Sequence, residues 1–151
     1  MSIDYAAIAT GYNGMIPFAT HIGLQVKTIG PGVCTVVLPE APTTMNHVTS
    51  QHAGALFTVG ESASGGAFIG TFAERMGEIT PLAQSAEITY KKIARGDITA
   101  NATLTADPAQ LHEELDREGK VRFNVDVELS DPEGNVVAEM VVQWYVRKNA
   151  A

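Results

Sequence analysis

Residues 52–75, HAGALFTVGESASGGAFIGTFAER, form the stretch that decides the fold of this chain. The stretch is nearly uncharged and apolar around most of its helical circumference, which is typical of a buried helix. It also carries five glycines, and each one costs a helix ~1 kcal/mol relative to alanine. Such a helix has to be stabilised by its surroundings, and small residues let other backbone approach closely. We therefore predict a central helix with a sheet wrapped around it.

The segments that flank this helix show patterns typical of β-strands. Two strands are predicted before it, over residues 21–29 and 33–38, with the turn sequence Gly30-Pro31-Gly32 between them. Four more are predicted after it, over residues 85–94, 97–106, 121–130 and 136–147. A short helix between Asp107 and Gly119 separates the second of these from the third. This order favours an α+β fold with a single curved antiparallel sheet.

Length and composition favour one domain over residues 1–151, with residues 1–20 forming an N-terminal helix and turn. The chain is 45% hydrophobic, which excludes disorder as its main state. Its net charge of −7 is opposite to that of a general nucleic-acid binder. No uncharged apolar run has the length of a membrane span, and no secretory signal is seen at the N-terminus. Because Cys34 is the single cysteine, no internal disulfide can form, and we expect a cytoplasmic protein.

Three residues around the start of the helix have a characteristic spacing. Asn46 precedes His52 by six positions, and Glu61 follows His52 by nine. This pattern resembles the active-site stretch of hotdog-fold acyl-CoA thioesterases of the phenylacetate-pathway and 4-hydroxybenzoyl-CoA thioesterase group. The resemblance extends over nearly the whole chain and implies a hotdog fold and hydrolysis of an acyl-CoA or related thioester. One departure is Ala53, where the family usually has glycine.

The resemblance implies a role for each residue of the stretch. Glu61 is expected to act as general base on a water, or directly as nucleophile. Ala53 N–H, helped by Gly54, is expected to hold the carbonyl oxygen, because the first N–H groups of a helix are unpaired and carry partial positive charge. Asn46 would orient water or the carboxylate, and His52 would fix the loop and the helix start. Ser64, one turn from Glu61, would assist with the water.

The residues alone leave other interpretations open. His52 is equally explained as a helix cap and Gly54 as a packing residue. Glu61 has a structural explanation too, as a satisfied buried acid or one that specifies dimer packing. A small basic cluster, Lys91, Lys92 and Arg95, is either a solvated strand end or a seat for the phosphates of coenzyme A.

Distance along the helix favours a shared site. Eight residues separate Ala53 from Glu61, which corresponds to ~12 Å of helix. One carbonyl group cannot reach both if they come from the same helix. Two helices paired antiparallel across a two-fold axis would bring Glu61 of one copy towards the helix start of the other. We therefore predict a homodimer or a dimer of dimers.

Two rival functions remain at this point. The first is a non-catalytic protein that binds acyl-CoA or acyl chains on the same fold, and the second is a hotdog hydratase or dehydratase. Serine-hydrolase chemistry is disfavoured because residues 60–64 miss the Gly-x-Ser-x-Gly motif. The four histidines lack the spacing of a zinc site, so no metal is predicted. Apart from coenzyme A as part of the substrate, no cofactor is expected, and neither nucleic acid nor membrane is an expected partner.

Overall fold

The glycine-containing stretch forms a long helix, α3, over Ala53–Phe72 in the computed structural model, which describes residues 2–151. Most residues of α3 are buried, as expected for a helix without a polar face. The helix continues as 3-10 helix over Ala73–Glu78, so its α-helical part ends at Phe72 rather than at residue 75. The predicted central helix is therefore present, with a tighter last turn.

Six antiparallel strands form one sheet around α3, in the order β1-β2-β4-β5-β6-β3. The sheet therefore has β1 and β3 at its two edges. The strands are β1 Gln25–Gly30, β2 Val33–Leu38, β3 Ile79–Tyr90, β4 Ile98–Leu104, β5 Lys120–Ser130 and β6 Val136–Lys148. This architecture confirms the predicted α+β class, with an antiparallel sheet and a central helix.

The glycines of α3 let the sheet approach the helix backbone. A Cβ atom at Gly70 would overlap the backbone oxygen of Gly30, and one at Gly66 would overlap Sγ of Cys34. A Cβ at Gly60 would lie 2.6 Å from Sδ of Met140, closer than real Cβ contacts. Close packing thus offsets the helix propensity that is lost at these glycines. The sequence analysis predicts the same reason for glycine at these positions.

Three shorter helices lie outside the sheet. They are α1 Tyr5–Tyr12, α2 Pro17–His21 and α4 Pro108–Glu118. As predicted from the sequence, α4 is capped by Asp107, which accepts a hydrogen bond from Ala109 N, and ends at Gly119 with φ 74°. Among residues 2–151, none of the helices combines the length and the apolar character needed to cross a membrane.

Two predicted strand boundaries are wrong. The strand predicted to begin at His21 starts at Gln25, because Pro17 opens α2 and Gly23, with φ 79°, turns the chain after it. The strand predicted over residues 85–94 runs over Ile79–Tyr90. Pro81 makes that segment a poor strand on sequence pattern, but an edge strand tolerates proline because one side of its backbone has no ladder partner.

Candidate active site

The loop before α3 is organised by Asn46. Its side-chain Oδ1 accepts hydrogen bonds from Val48 N at 3.0 Å and Ser50 N at 3.1 Å, while Nδ2 donates to Ser50 Oγ at 2.9 Å. Both oxygen lone pairs are therefore used within the loop, and one Nδ2–H is left for another acceptor. Asn46 thus fixes the loop that leads into the helix, and can orient a ligand only through that remaining N–H.

The same loop contains an unusual backbone conformation at Thr49. Its φ is 58°, and among residues 2–151 it is the only non-glycine residue with a positive φ. A β-branched residue is disfavoured in this backbone conformation. Arg95 Nη1 donates to Thr49 O at 3.2 Å. Arg95 therefore supports the loop. Lys91 and Lys92 line a common groove, and Arg95 is not part of its lining.

His52 caps the start of α3. Its Nδ1 accepts a hydrogen bond from Gly54 N at 2.8 Å, so the Gly54 N–H predicted to assist the carbonyl oxygen is already occupied. A Cβ atom at Gly54 would lie 3.1 Å from His52 Nδ1, which explains why a residue without a side chain stands beside the imidazole. The capping interpretation of His52, which the sequence left open, is thus realised in the structure.

Ala53 presents an amide that remains free at the helix start. Its N–H has no protein acceptor among residues 2–151, and the residue lies at the first position of the 20-residue helix α3. The positive end of the helix dipole adds to the partial positive charge of the Ala53 N–H. Because Ala53 has helical backbone with negative φ, alanine replaces the family glycine without strain.

A groove of about 380 Å³ opens beside Ala53. Asn46, Lys91 and Lys92 contribute to its walls together with the end of β3. Lys91 Nζ forms an ion pair with Glu139 at 2.9 Å, whereas Lys92 has none within the described residues. Three other predicted site residues, Asn46, Lys91 and Lys92, therefore line the same groove as Ala53. Of the two lysines, Lys92 is the more available to bind an anion.

Tyr90 belongs to this groove and is not predicted from the sequence. Its hydroxyl donates to Ala53 O at 3.0 Å, which ties the end of β3 to the first turn of α3. The sequence feature that points to Tyr90 is its position immediately before Lys91 and Lys92, near the end of a predicted strand.

Glu61 lies two turns further along α3 and is half-buried. Burial raises the pKa of its carboxyl above the ordinary value. Its carboxylate makes no hydrogen bond or ion pair within residues 2–151, so nothing described offsets that burial. The Tyr12 hydroxyl, which donates to Ser62 O at 3.0 Å, is close enough that the charge of Glu61 adds to burial in raising the pKa of Tyr12.

Ser64, one turn from Glu61 on α3, lies in the core. Its side chain is fully buried, its hydroxyl donates to Glu61 O at 2.7 Å, and it accepts a hydrogen bond from Trp144 Nε1 at 3.2 Å. These contacts use the hydroxyl inside the core. Ser64 therefore anchors Trp144 to the helix, and its assistance to a water stays a prediction.

The free amide and the free carboxylate are separated within one chain. Eight residues of α3 place Ala53 and Glu61 ~12 Å apart along its axis. Glu61 is not among the residues that line the groove beside Ala53. The unpaired amide and the unpaired carboxylate therefore lie in different places on the chain.

Comparison with solved structures shows the same fold in several bacterial proteins. PA5026 from Pseudomonas aeruginosa, described as a protein of unknown function and probable thioesterase, is 29% identical, with 99% of each chain covered and a TM-score of 0.87. The PaaI protein of the E. coli phenylacetic acid degradation operon is 16% identical, over 95% of this chain and 91% of that one, with a TM-score of 0.72. A thioesterase family protein from Silicibacter pomeroyi is 17% identical, over 97% and 100% of the two chains, with a TM-score of 0.76.

These neighbours are proteins of the hotdog-fold thioesterase type, which confirms the predicted fold and resemblance. No curated protein matches the sequence. The family model described as "Domain of unknown function (DUF4442)" matches residues 4–146. The chain therefore belongs to the DUF4442 family and has the hotdog fold found in thioesterases.

Proposed function

We propose that this protein hydrolyses the thioester bond of an acyl-CoA or a related acyl thioester. The observation that carries the proposal is the unpaired N–H of Ala53, a residue that starts a long buried helix and lines a groove with Lys92 on its wall. A donor of this kind stabilises the oxygen anion that forms when a carbonyl is attacked. Similarity to a probable thioesterase at 29% identity supports the same reaction.

The chemistry needs a group that activates water or attacks the carbonyl. Glu61 is the carboxylate available for this, and its raised pKa moves it towards the range in which a general base is efficient at neutral pH. As a base, it takes a proton from water while the water oxygen attacks the carbonyl carbon. The carbon–sulfur bond then breaks, and the proton passes to the departing thiolate. As a nucleophile, its oxygen attacks the carbonyl carbon, and the carbon–sulfur bond breaks to give an anhydride and a departing thiolate. Water then hydrolyses the anhydride, and a proton released in that step neutralises the thiolate.

We further propose that each complete site combines residues of two subunits. The separation of ~12 Å within one helix prevents Glu61 and Ala53 of the same copy from acting on one carbonyl. A second copy offers a route, because β3 pairs only with β6 and leaves its other edge open in the described chain. Joining two β3 edges would place the two α3 helices side by side.

The coenzyme A half of the substrate is assigned to the groove with Lys91 and Lys92. The phosphates of coenzyme A carry negative charge, and Lys92 forms no direct ion pair within the described residues, although its charge helps to lower the pKa of Asp131. This assignment leaves Arg95 as a support of the loop that carries Thr49.

The decisive experiment measures free thiol released from short, medium, long and aryl acyl-CoAs. We expect turnover by the wild-type protein and a loss of at least a hundredfold in kcat for Glu61→Gln, on the order of the effect of removing a catalytic acid or base. Glu113→Gln, which changes an exposed carboxyl on α4, is the matched control. Saturable binding without turnover would instead indicate a binding protein, and water addition to an enoyl-CoA would indicate a hydratase.

A further inference from the structure

A second groove, of about 310 Å³, lies on the other side of the α3 helix start. We name it the α2 groove, because α2 contributes to its walls together with the 3-10 turn over Pro42–Thr44. No acidic or basic side chain other than His52 contributes to it, and its surface is chiefly apolar. The residues that define it are Phe18, Ile22, Met45, Gly54, Ala55 and Thr58.

The wall supplied by α2 exposes apolar side chains that the fold itself leaves uncovered. Phe18 is 63% exposed, and α2 contains no buried residue; Ile16, which precedes α2 and does not line the groove, is 42% exposed. Burial of these residues in the fold therefore does not explain their apolar character. A large exposed aromatic beside a preformed groove is typical of a surface that an apolar ligand covers.

The position of the α2 groove relates it to the proposed reaction centre. His52 and Gly54, which line it, are the neighbours of Ala53 on either side in the chain. Gly54, Thr58 and Glu61 follow one another at helical spacing, so they share one face of α3. The groove thus adjoins the helix start on both sides of Ala53 in the chain, and it extends along α3 as far as Thr58.

The two grooves also match the two halves of a thioester. The groove with Lys92 is polar and cationic, whereas the α2 groove is apolar, and the Ala53 amide lies between them. An acyl-CoA has a charged half and an acyl half on opposite sides of its carbonyl group. Binding the carbonyl at Ala53 therefore directs the acyl half into the α2 groove.

We infer that the α2 groove binds the acyl group of the substrate, that this group is uncharged and apolar, and that Phe18 forms the wall that selects it. The inference rests on the proposed function, since it takes the Ala53 amide as the site of the carbonyl. It assigns a specificity-determining role to Phe18, a residue outside the motif stretch. Dicarboxylic acyl groups are excluded, because no cation in the groove would compensate a second carboxylate.

Calorimetric titration with S-alkyl-CoA thioethers tests the inference, because these compounds lack the carbonyl and cannot be hydrolysed. With methyl, butyl and octyl chains, we expect affinity for the wild-type protein to rise by up to about fourfold per buried methylene. A carboxyalkyl thioether of the same length should bind at least tenfold more weakly than its alkyl counterpart. Equal affinity for all chain lengths would overturn the inference.

Variants at one exposed position assign the effect to the groove. Phe18→Ala should flatten the dependence on chain length, whereas Phe18→Leu should keep most of it because an apolar wall remains. The control is Val33→Ala, which removes a similarly exposed apolar side chain near Gly30 and Gly70, at the far end of α3. An unchanged chain-length dependence in Phe18→Ala would contradict the inference.

The two hypotheses fail in different ways. A chain-length dependence that requires Phe18, combined with no thiol release from any acyl-CoA, would refute the hydrolase and leave the acyl groove in place. Thiol release with equal efficiency for all chain lengths in wild type and Phe18→Ala would refute the acyl groove and leave the hydrolase.

Discussion

Glu61 shows how a single residue can link stability to function. Its carboxyl is half-buried in an apolar helix, and burial raises its pKa. The folded state therefore binds the proton more tightly than the unfolded chain does. It follows that ionised Glu61 destabilises the fold. Destabilising acids of this kind are found at functional sites, where they take part in the chemistry.

The first prediction concerns the pH dependence of stability. Because the folded pKa is raised, the contribution of Glu61 is fully favourable below the unfolded-state pKa and is lost as pH rises through the folded pKa. We expect Glu61→Gln to match the wild type at low pH and to be more stable at neutral pH. Urea unfolding from pH 4 to 8, at one protein concentration and with Glu113→Gln as control, measures this. A difference that does not vary with pH would contradict it.

The second prediction separates the capping role of His52 from any chemical role. His52→Ala leaves Gly54 N–H without its acceptor and should lower the free energy of unfolding by about 1 kcal/mol. His52→Asn should restore most of that loss, because asparagine is a favoured helix cap. His47→Ala, at an exposed histidine of the same loop, should leave stability unchanged. If His52→Asn is as unstable as His52→Ala, the cap is not the source of the effect.

At the scale of elements, α3 and the sheet approach each other most closely at two glycines of the helix. Gly66 and Gly70 adjoin β2 and the end of β1 so closely that neither has room for a Cβ atom. The position of the helix relative to the sheet is therefore fixed by two residue positions, and the helix start is positioned with it.

The third prediction compares two glycines in helices. Gly70→Ala should lower the free energy of unfolding by about 2 kcal/mol or more, because its methyl group would overlap Gly30 O and force backbone to move. Gly11→Ala in α1 should raise it by up to about 1 kcal/mol, since a Cβ there meets nothing within 4 Å and alanine favours the helix. Chemical denaturation of both variants measures the difference. Equal effects would show that helix propensity alone governs both positions.

The elements also show what sequence patterns could and could not predict. β5 alternates without fault and α4 has both of its caps, so both were predictable from local signals. α2 was missed because its five residues are too few for a periodic pattern and none is buried. The spacing of Asn46, His52 and Glu61 identified the site region, but the use of Gly54 N–H by His52 and of Ser64 by Trp144 depends on three-dimensional contacts.

At the scale of the whole molecule, β3 is an edge of the sheet with no partner strand on one side among the described residues. It is a 12-residue edge strand whose middle is exposed on both faces, with Leu82 57% exposed. Long, exposed edges of this kind favour pairing with another strand. A partner subunit at this edge would cover the apolar side chains and complete the proposed shared site.

The fourth prediction follows from that edge. We expect the wild-type protein to sediment as a dimer or a dimer of dimers, and Leu82→Lys to shift it towards the 16.0 kDa monomer with a parallel loss of thioesterase activity. Val33→Lys, at an exposed position on β2, should change neither property. Circular dichroism would confirm that both variants are folded. An active monomer of Leu82→Lys would contradict the shared site.

The close contact at Gly66 and Gly70 limits how this protein can diversify. A larger residue at Gly66 or Gly70 would push the sheet away from the helix. Substitutions in the second half of α3 therefore cannot reshape a substrate cavity without disturbing the fold. New substrate ranges in homologues should therefore arise from insertions and apolar exchanges in residues 13–24 and 42–52, which surround the other end of the helix. Evolution would then retain a rigid platform and vary the chain segments that frame it.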